Sequence, residues 1–163
     1  MRLFLLRSAE AVAGKKDARR KLADNGVHAL EKLTNFLSKK DLSDITAIRH
    51  SSLTRAKQTT KQFKKLSGIK AKAQVAPLLE PLADFRILAD FIESSEETLL
   101  LVGHQYNLGR LGSYLLTRES DSTLLDLKPG GMACLKAADI RDSSGSSGRH
   151  WQLLWQLRPK MLG

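Results

Sequence analysis

The sequence predicts an α/β fold: a three-layer α/β/α sandwich with a mostly parallel central sheet, helices on both faces and a C-terminal hairpin at one edge. Strand-like and helix-like segments alternate through the first two-thirds of the chain, which is typical of right-handed βαβ units. The apolar runs at 2–6 and 98–102 do not alternate with polar residues, so each predicts a strand covered on both faces. Two strand-like runs in the last third predict the hairpin, and the length favours one domain over residues 1–163.

Apolar residues at helical spacing predict the helices of the first half, and short apolar runs predict its strands. Residues 8–22 have no apolar periodicity and predict a loop, which a turn at 24–26 ends. Gly68 is expected to end the second helix, because glycine adopts the left-handed conformation common at helix C-termini. The predicted elements of this half are strand 2–6, helix 27–38, strand 44–49, helix 53–66 and strand 71–75.

The second half begins with a predicted loop around Glu80, between Pro77 and Pro81. Apolar stripes at helical spacing predict two further helices. The stretch 143–148 contains only Ser and Gly, and it predicts a long hairpin loop between two strands. The predicted elements of this half are helix 83–93, strand 98–102, a helix containing Leu108, Leu111 and Leu115, a turn at 129–131, strand 132–138 and strand 150–157.

The chain is strongly basic, with 27 Lys and Arg residues against 17 Asp and Glu residues and a formal net charge of +10. Aromatic residues make up only 6% and no nucleic-acid recognition motif is present, so the sequence disfavours nucleic-acid binding. We expect most of the basic residues to lie on solvated helix surfaces, with steering of phosphorylated partners as the alternative.

Composition and length exclude several other classes of protein. Hydrophobic residues make up 42%, which is typical of a globular protein, and the single cysteine excludes a disulfide framework and a multi-cysteine zinc site. No apolar run approaches the roughly 18 residues of a membrane span. The apolar opening is too short for a signal peptide, and Arg7 interrupts it. We therefore predict a soluble, cytoplasmic, monomeric protein that needs no metal or cofactor and no membrane.

Polar residues follow directly after four predicted strands, where ligands bind in parallel α/β sheets. Guanidinium groups match phosphate oxygens, and amides at the start of a helix favour an anion, so this edge predicts a phosphate site. Structural salt bridges at the arginines and a hydrogen-bonded strand-end histidine are the alternatives. The residues concerned are Arg7 and Ser8, then His50, Ser51 and Arg55, then Glu80, and finally His104.

Two of these segments carry a recognisable pattern. Residues 6–10 read Leu-Arg-Ser-Ala-Glu, and residues 51–59 read Ser-Ser-Leu-Thr-Arg-Ala-Lys-Gln-Thr. They resemble the Leu-Arg-His-Gly/Ala and Ser-x-x-x-Arg-Ala-x-Gln-Thr motifs of the histidine phosphatase superfamily, and the second match is close and specific. The chain looks like the small, SixA-like branch of that superfamily, the bacterial phosphohistidine phosphatases.

The resemblance covers nearly the whole chain. Residues 20–26 partly match an Arg-Pro-Leu-Thr-x-x-Gly segment of the family, and residues 101–104 match a late strand that ends in histidine. The Pro-Gly-Gly turn within 128–133 and the Trp-rich strand within 151–159 are similar to the ending of this branch.

The resemblance implies a phosphoryl-transfer mechanism. In the family, the histidine after the first arginine attacks phosphorus, and water then hydrolyses the phosphohistidine intermediate. Two arginines and the second histidine, here Arg7, Arg55 and His104, would hold the phosphoryl oxygens. Arg20 is expected at the rim of this site. The implied partner is a phosphorylated protein or a small phosphorylated molecule.

Three further residues are predicted in or near the pocket. Glu80 falls near the position where larger relatives place a general acid, although the SixA-like branch does not require one. His50 and Ser51 precede the Arg55 motif and are predicted to line the pocket.

Ser8 departs from the family pattern, in which this position holds the nucleophilic histidine. A serine hydroxyl is a poor nucleophile unless an adjacent base activates it. Our first hypothesis is therefore a SixA-like protein that binds phosphoryl groups with little or no turnover. The alternatives are an active phosphatase that hydrolyses phosphohistidine or phosphomonoesters through Ser8 or another residue, an enzyme whose natural residue at position 8 is not serine, and a basic binding or scaffold protein that reuses the fold.

Overall fold

One mixed sheet organises the protein, and the computed structural model describes residues 1–141 and 147–163 of it. Its strands are β1 (Arg2–Arg7), β2 (Ala47–His50), β3 (Lys72–Val75), β4 (Leu99–Gly103), β5 (Met132–Arg141) and β6 (Ser147–Leu157). The helices are α1 (Asp24–Phe36), α2 (Lys39–Leu42), α3 (Thr54–Ser67), α4 (Phe85–Glu93) and α5 (Gln105–Thr117).

The strand order across the sheet is β3-β2-β4-β1-β5-β6. The first four strands in the chain are parallel to one another. β5 runs antiparallel to both β1 and β6, which form the remaining pairs of the sheet. The predicted α/β class, with a mostly parallel sheet and a C-terminal hairpin at one edge, is confirmed.

β1 explains why the central apolar runs do not alternate. Leu3 and Leu5 belong to the core cluster that includes the buried residues of α4 and α5, whereas Phe4 and Leu6 belong to the cluster that includes those of α1 and α3. All four side chains are fully buried. Successive strand residues point to opposite faces, so an uninterrupted apolar run is required where helices cover both faces.

The helices bury the stripes that the sequence predicts. Leu88, Ala89 and Ile92 of α4 are buried, and Phe63 of α3 is buried on the opposite face of the sheet. Gly68 follows α3 with a φ of 76°, the left-handed conformation expected at that helix end. None of the described helices is long and apolar enough to cross a membrane.

β2 begins at Ala47, later than the predicted 44–49, because the short helix α2 ends at Leu42 and a turn at 43–44 follows it. Ser38 and Asp41 form a reciprocal cap for α2: the Ser38 hydroxyl accepts from the Asp41 amide at 3.3 Å, and the Asp41 carboxylate accepts from the Ser38 amide at 2.8 Å. Ile45 is buried in the core but lies outside the strand. The apolar pattern there indicated burial rather than strand pairing.

The hairpin is longer than the sequence predicts. The predicted loop 143–148 lies largely outside the described residues, but Ser147 and Gly148 belong to β6 and pair with Arg141 and Ile140 of β5. Backbone hydrogen bonds between two antiparallel strands do not require apolar side chains, so the ladder extends into a segment that composition alone assigns to a loop.

Candidate functional site

A cavity of about 240 Å³ opens at the carboxyl ends of β1 and β4. The loop after β1, the first turn of α3 and the junction of β4 with α5 all contribute to its wall. The structure therefore brings five of the sequence-predicted residues together in one place. The cavity is lined by Arg7, Ser8, Ala9, Glu10, Ala11, Arg20, Arg55, His104, Gln105 and Pro129.

Arg7 is the last residue of β1 and is partly buried. Its Nη1 donates to the carbonyl of Leu127 at 2.8 Å, and the Leu127 amide donates to Oε1 of Gln105 at 2.6 Å. Gln105 therefore fixes the segment that orients Arg7. Burial lowers the pKa of Arg7, Asp126 opposes this shift, and the positive charge of Arg55 adds to it. The guanidinium nevertheless stays charged at neutral pH.

Arg55 lies in the first turn of α3, with only 15% of its side chain exposed. Its guanidinium forms a fork on the carboxylate of Asp17, with Nη1 to Oδ1 and Nη2 to Oδ2 both at 3.1 Å. Arg20 donates to the same carboxylate at 3.2 Å. Asp17 thus bridges two arginines that line the cavity. An oxyanion that binds through these same donors must displace Asp17.

Asp17 was not predicted from the sequence as a site residue. It begins a short 3₁₀ turn, Asp17–Arg19, within the loop that follows β1. The hydrogen bond from Arg55 is the main cause of the lowered pKa of Asp17, so this carboxylate is charged at neutral pH. The one sequence signal was its position three residues before Arg20, a spacing at which opposite charges can pair.

Gly26 lets the loop after β1 pack closely against α1. A Cβ atom at this position would lie 2.4 Å from the carbonyl oxygen of Glu10, which is closer than any side-chain carbon can approach. The loop is also closed by an isolated antiparallel bridge between Ala11 and Leu22. These contacts hold the loop beside α3, where Asp17 meets Arg55.

His104 lies between β4 and α5 and is buried. Its Nε2 is 2.9 Å from Oγ of Ser51, and the Ser51 hydroxyl donates to Oε2 of Glu80 at 3.1 Å. Ser51 donates its only hydroxyl proton to the Glu80 carboxylate. In the hydrogen bond between Ser51 and His104, Nε2 of His104 is therefore the protonated donor. This network fixes both the orientation of the imidazole ring and its tautomer.

The pKa of His104 is lowered to about 4. Burial is the main cause, followed by the positive charge of Arg55, and Glu80 opposes both. The imidazole is therefore neutral at pH 7. To donate from both ring nitrogens, it would have to take up a second proton, which a bound anion would favour.

Glu80 is held from two directions. Its Oε1 accepts from the Ser52 amide at 2.6 Å. The loop that carries Glu80 is fixed by Asn107, whose Nδ2 donates to the carbonyls of Leu78, Glu80 and Ala83 at 3.2, 3.1 and 3.0 Å. Burial raises the pKa of Glu80, but the hydrogen bonds from Ser52 and Ser51 outweigh this and leave the pKa below its usual value. Glu80 is thus a charged acceptor at neutral pH.

His50, Ser51 and Glu80, which were expected as possible pocket residues, are not among the residues that line the cavity. β4 separates β2 from β1, so the residues that end β2 lie behind His104. Nδ1 of His50 donates to the Ser51 carbonyl at 2.9 Å, away from the cavity. The cavity residues that sequence reasoning missed are Ala9, Glu10, Ala11, Gln105 and Pro129.

Ser8 lines the cavity, but its hydroxyl oxygen is buried and has no hydrogen-bond partner among the described residues. The Ser8 amide donates to the Gly103 carbonyl at 2.7 Å, which fixes the backbone of this residue at the end of β1. His104, the one imidazole among the described residues of the wall, uses its Nε2 for the hydrogen bond to Ser51.

Metal-binding side chains do not converge in the structure. Within residues 1–141 and 147–163, no group of three or more His, Cys, Asp or Glu side chains is arranged to hold a metal ion. The cavity wall instead carries three guanidinium groups and one carboxylate, which suits an anion.

No family model matches the chain, and no curated protein matches it in sequence. Solved structures share its fold, however. The protein histidine phosphatase SixA, in a structure complexed with tungstate, has 23% identity and a TM-score of 0.81, with 100% of each chain covered.

Two further structures show the same likeness. A protein assigned as the phosphohistidine phosphatase SixA of Agrobacterium tumefaciens has 21% identity and a TM-score of 0.74, with 97% of each chain covered. Its counterpart from Nakamurella multipartitia has 20% identity and a TM-score of 0.72, with 97% of this chain and 95% of that chain covered. The chain therefore has the fold of the SixA phosphohistidine phosphatases, as the sequence motifs predicted.

Replacing Asp17 with Asn is expected to strengthen oxyanion binding, because it removes the carboxylate that competes for Arg55 and Arg20. The gain in tungstate affinity should be about two- to fivefold, the size of a surface ion pair. Calorimetric titration with tungstate measures it. Asp84→Asn is the matched control, because Asp84 forms a similar fork with Arg86 outside the cavity. Weaker binding by Asp17→Asn would show that Asp17 orients Arg55 rather than competing with an anion.

The imidazole of His104 should titrate with a midpoint near 4 in the free protein. Adding tungstate should raise that midpoint, because a neighbouring oxyanion stabilises the imidazolium form. Nitrogen-15 NMR of the histidine side chains, assigned with the His104→Gln variant, follows both changes. A midpoint near the ordinary 6.5 in the free protein would contradict the buried, hydrogen-bonded arrangement.

Proposed function

We propose that this protein is a member of the histidine phosphatase superfamily, in its SixA-like branch, that binds phosphoryl groups with little or no turnover. The observation that carries the proposal is the meeting of Arg7, Arg55 and His104 in the wall of one cavity. Phosphorylated proteins and small phosphorylated molecules both present the tetrahedral dianion that such a wall recognises.

Charge and shape support phosphoryl binding. Arg7, Arg20 and Arg55 line the cavity with a single carboxylate, that of Glu10, in the same wall. Guanidinium groups bind phosphate oxygens in pairs, so two of them on different elements can fix both the position and the orientation of the group. The SixA structure with the same fold holds tungstate, a tetrahedral oxyanion like phosphate.

The surroundings of Ser8 support low turnover. A hydroxyl must lose its proton as it attacks phosphorus, and a base must accept that proton. Among the described residues nothing hydrogen-bonds to the Ser8 hydroxyl, and its oxygen is buried. An attacking atom must also lie about 3–3.5 Å from phosphorus and in line with the leaving group. In the geometry observed, the Ser8 hydroxyl has no hydrogen-bonded base to accept its proton, which favours low turnover.

Replacing Arg55 with Ala should weaken tungstate and phosphate binding about tenfold or more, since a hydrogen bond to a charged group contributes roughly 1.5–3 kcal/mol. Calorimetric titration of the protein with each anion measures the loss. Arg86→Ala is the matched control, because Arg86 also forks onto a carboxylate but lies outside the cavity. Equal affinities in the wild-type protein and Arg55→Ala would remove Arg55 from the proposed site.

Replacing Ser8 with His should create or greatly raise phosphatase activity. A neutral imidazole nitrogen attacks phosphorus without a base, forms the phosphorus–nitrogen bond as the leaving group departs with its electron pair, and is released by water. The assay is phosphate release from a phosphohistidine peptide and from an aryl phosphate. Samples of the variant denatured in detergent at alkaline pH, where a phosphohistidine bond survives, should contain a phosphoenzyme that the wild-type protein lacks.

Ser8→Ala is the control for this substitution. Robust turnover by the wild-type protein that disappears in Ser8→Ala would overturn the low-turnover proposal and establish a serine nucleophile. Absence of activity in a folded, tungstate-binding Ser8→His protein would show that more than the nucleophile separates this chain from an active phosphatase.

A further inference from the structure

A second, larger cavity lies beside the anion-binding cavity. It has a volume of about 970 Å³ and lies between α1, the turn after Lys128 and the C-terminal 3₁₀ turn Pro159–Met161. We call it the basic groove, after its cationic residues Lys32, Lys128, Arg158 and Lys160. Glu10 and Pro129 line both the groove and the anion-binding cavity, so the two are adjacent.

Gly130 allows the walls of the groove to meet. It has a φ of 69°, and a Cβ atom there would lie 3.2 Å from Cβ of Ala29 and 3.5 Å from Cγ of Pro159. The Gly130 amide donates to the carbonyl of Arg7 at 3.2 Å. The turn that separates the groove from the cavity is therefore anchored to the end of β1, where the proposed phosphoryl site begins.

The positive charge of the groove is largely uncompensated. Lys128 pairs with Asp126 at 2.6 Å. Across the part of the chain that the structure describes, Lys32, Arg158 and Lys160 have no carboxylate at ion-pair distance. All of these cationic side chains are exposed. A ligand that brings carboxylates into the groove would therefore gain ion pairs without breaking existing ones at three positions.

Apolar surface accompanies this charge. Ala29, Pro159 and Met161 line the groove, and Met161 is 78% exposed. Among the described residues that line it there is no Phe, Tyr or Trp, and the His28 imidazole is the one aromatic ring, so the groove lacks the series of stacking platforms that binds successive bases of single-stranded nucleic acid. Cationic side chains beside aliphatic ones fit a polypeptide that mixes acidic and apolar residues.

We propose that the basic groove binds an acidic polypeptide segment that flanks the phosphorylated residue of a protein partner. The inference rests on the proposed phosphoryl binding and adds to it a separate contact with the chain that flanks the phosphorylated residue. A phosphoryl group and the side chain that carries it suffice to fill the anion-binding cavity. The groove has about four times that volume, so it can accommodate a longer ligand. Chain on one side of the phosphorylated residue then continues past Glu10 and Pro129 into the groove.

The test compares two short synthetic peptides that carry a stable phosphohistidine analogue, flanked on both sides by Glu in one and by Gln in the other. The wild-type protein should bind the Glu peptide about fivefold more tightly or better, as expected for a few exposed ion pairs. Replacing Lys32 and Lys160 together with Gln should reduce the preference at least twofold, because Arg158 and Lys128 remain in the groove. The matched control is Lys61→Gln with Lys65→Gln, two exposed lysines of α3 outside both cavities. Fluorescence anisotropy measures the affinities, and added salt should reduce the preference.

Tungstate binding by each protein distinguishes failure of the groove proposal from failure of the proposed phosphoryl binding. It should be the same in the wild-type protein and both double variants, and its absence from the wild-type protein would contradict the proposed function itself. Equal affinities for the two peptides with tungstate binding intact would overturn the groove proposal alone. A preference that is undiminished in the Lys32 and Lys160 variant would also overturn it. So would tighter binding of a single-stranded oligonucleotide than of the Glu peptide, if that binding depends on the same two lysines.

Discussion

The parallel pairing of β2, β4 and β1 is the constraint on which the candidate site depends. Arg7 lies opposite Gly103 in the ladder, and the Ser51 amide donates to the Val102 carbonyl at 3.0 Å just beyond β2. The three strands therefore end at nearly the same level, which places Arg7, Ser51 and His104 at one edge. A slip of one residue in either pair would turn every side chain of a strand to the opposite face and disperse the site.

Gathering three arginines beside a buried histidine has an electrostatic cost, and the structure offsets it locally. The carbonyl of Leu127 accepts from Arg7, and the carboxylate of Asp17 accepts from both Arg55 and Arg20. The lowered pKa of His104 keeps a further positive charge out of the cavity at neutral pH. The charges of the three arginines are thus partly offset without a ligand. A bound anion must replace the Asp17 carboxylate as the acceptor of the hydrogen bonds from Arg55 and Arg20. For His104 to donate from both ring nitrogens, its imidazole must also be protonated when the anion binds.

The sequence predicted the architecture and the residues that end the strands, because burial patterning and strand-end position are properties of single elements. It did not predict Asp17 or the positions of His50, Ser51 and Glu80. The position of Asp17 depends on how a loop without apolar periodicity folds back against α3. The positions of the other three residues depend on the strand order, in which β4 separates β2 from β1. Neither the loop packing nor the strand order is a property of a single segment. The full length of the hairpin was not predicted for a related reason. Backbone pairing requires no particular side chains, so a Ser- and Gly-rich segment carries no sequence pattern that indicates it.

A crystal structure of the protein soaked with tungstate tests the central claim most directly, namely that the loops after β1, β2 and β4 form one oxyanion site. We expect the anion within hydrogen-bond distance of the Arg7 and Arg55 guanidinium groups and the His104 imidazole, with the Asp17 carboxylate displaced from Arg55. Tungstate bound elsewhere while Asp17 keeps its fork on Arg55, or an empty cavity at saturating tungstate, would contradict the account.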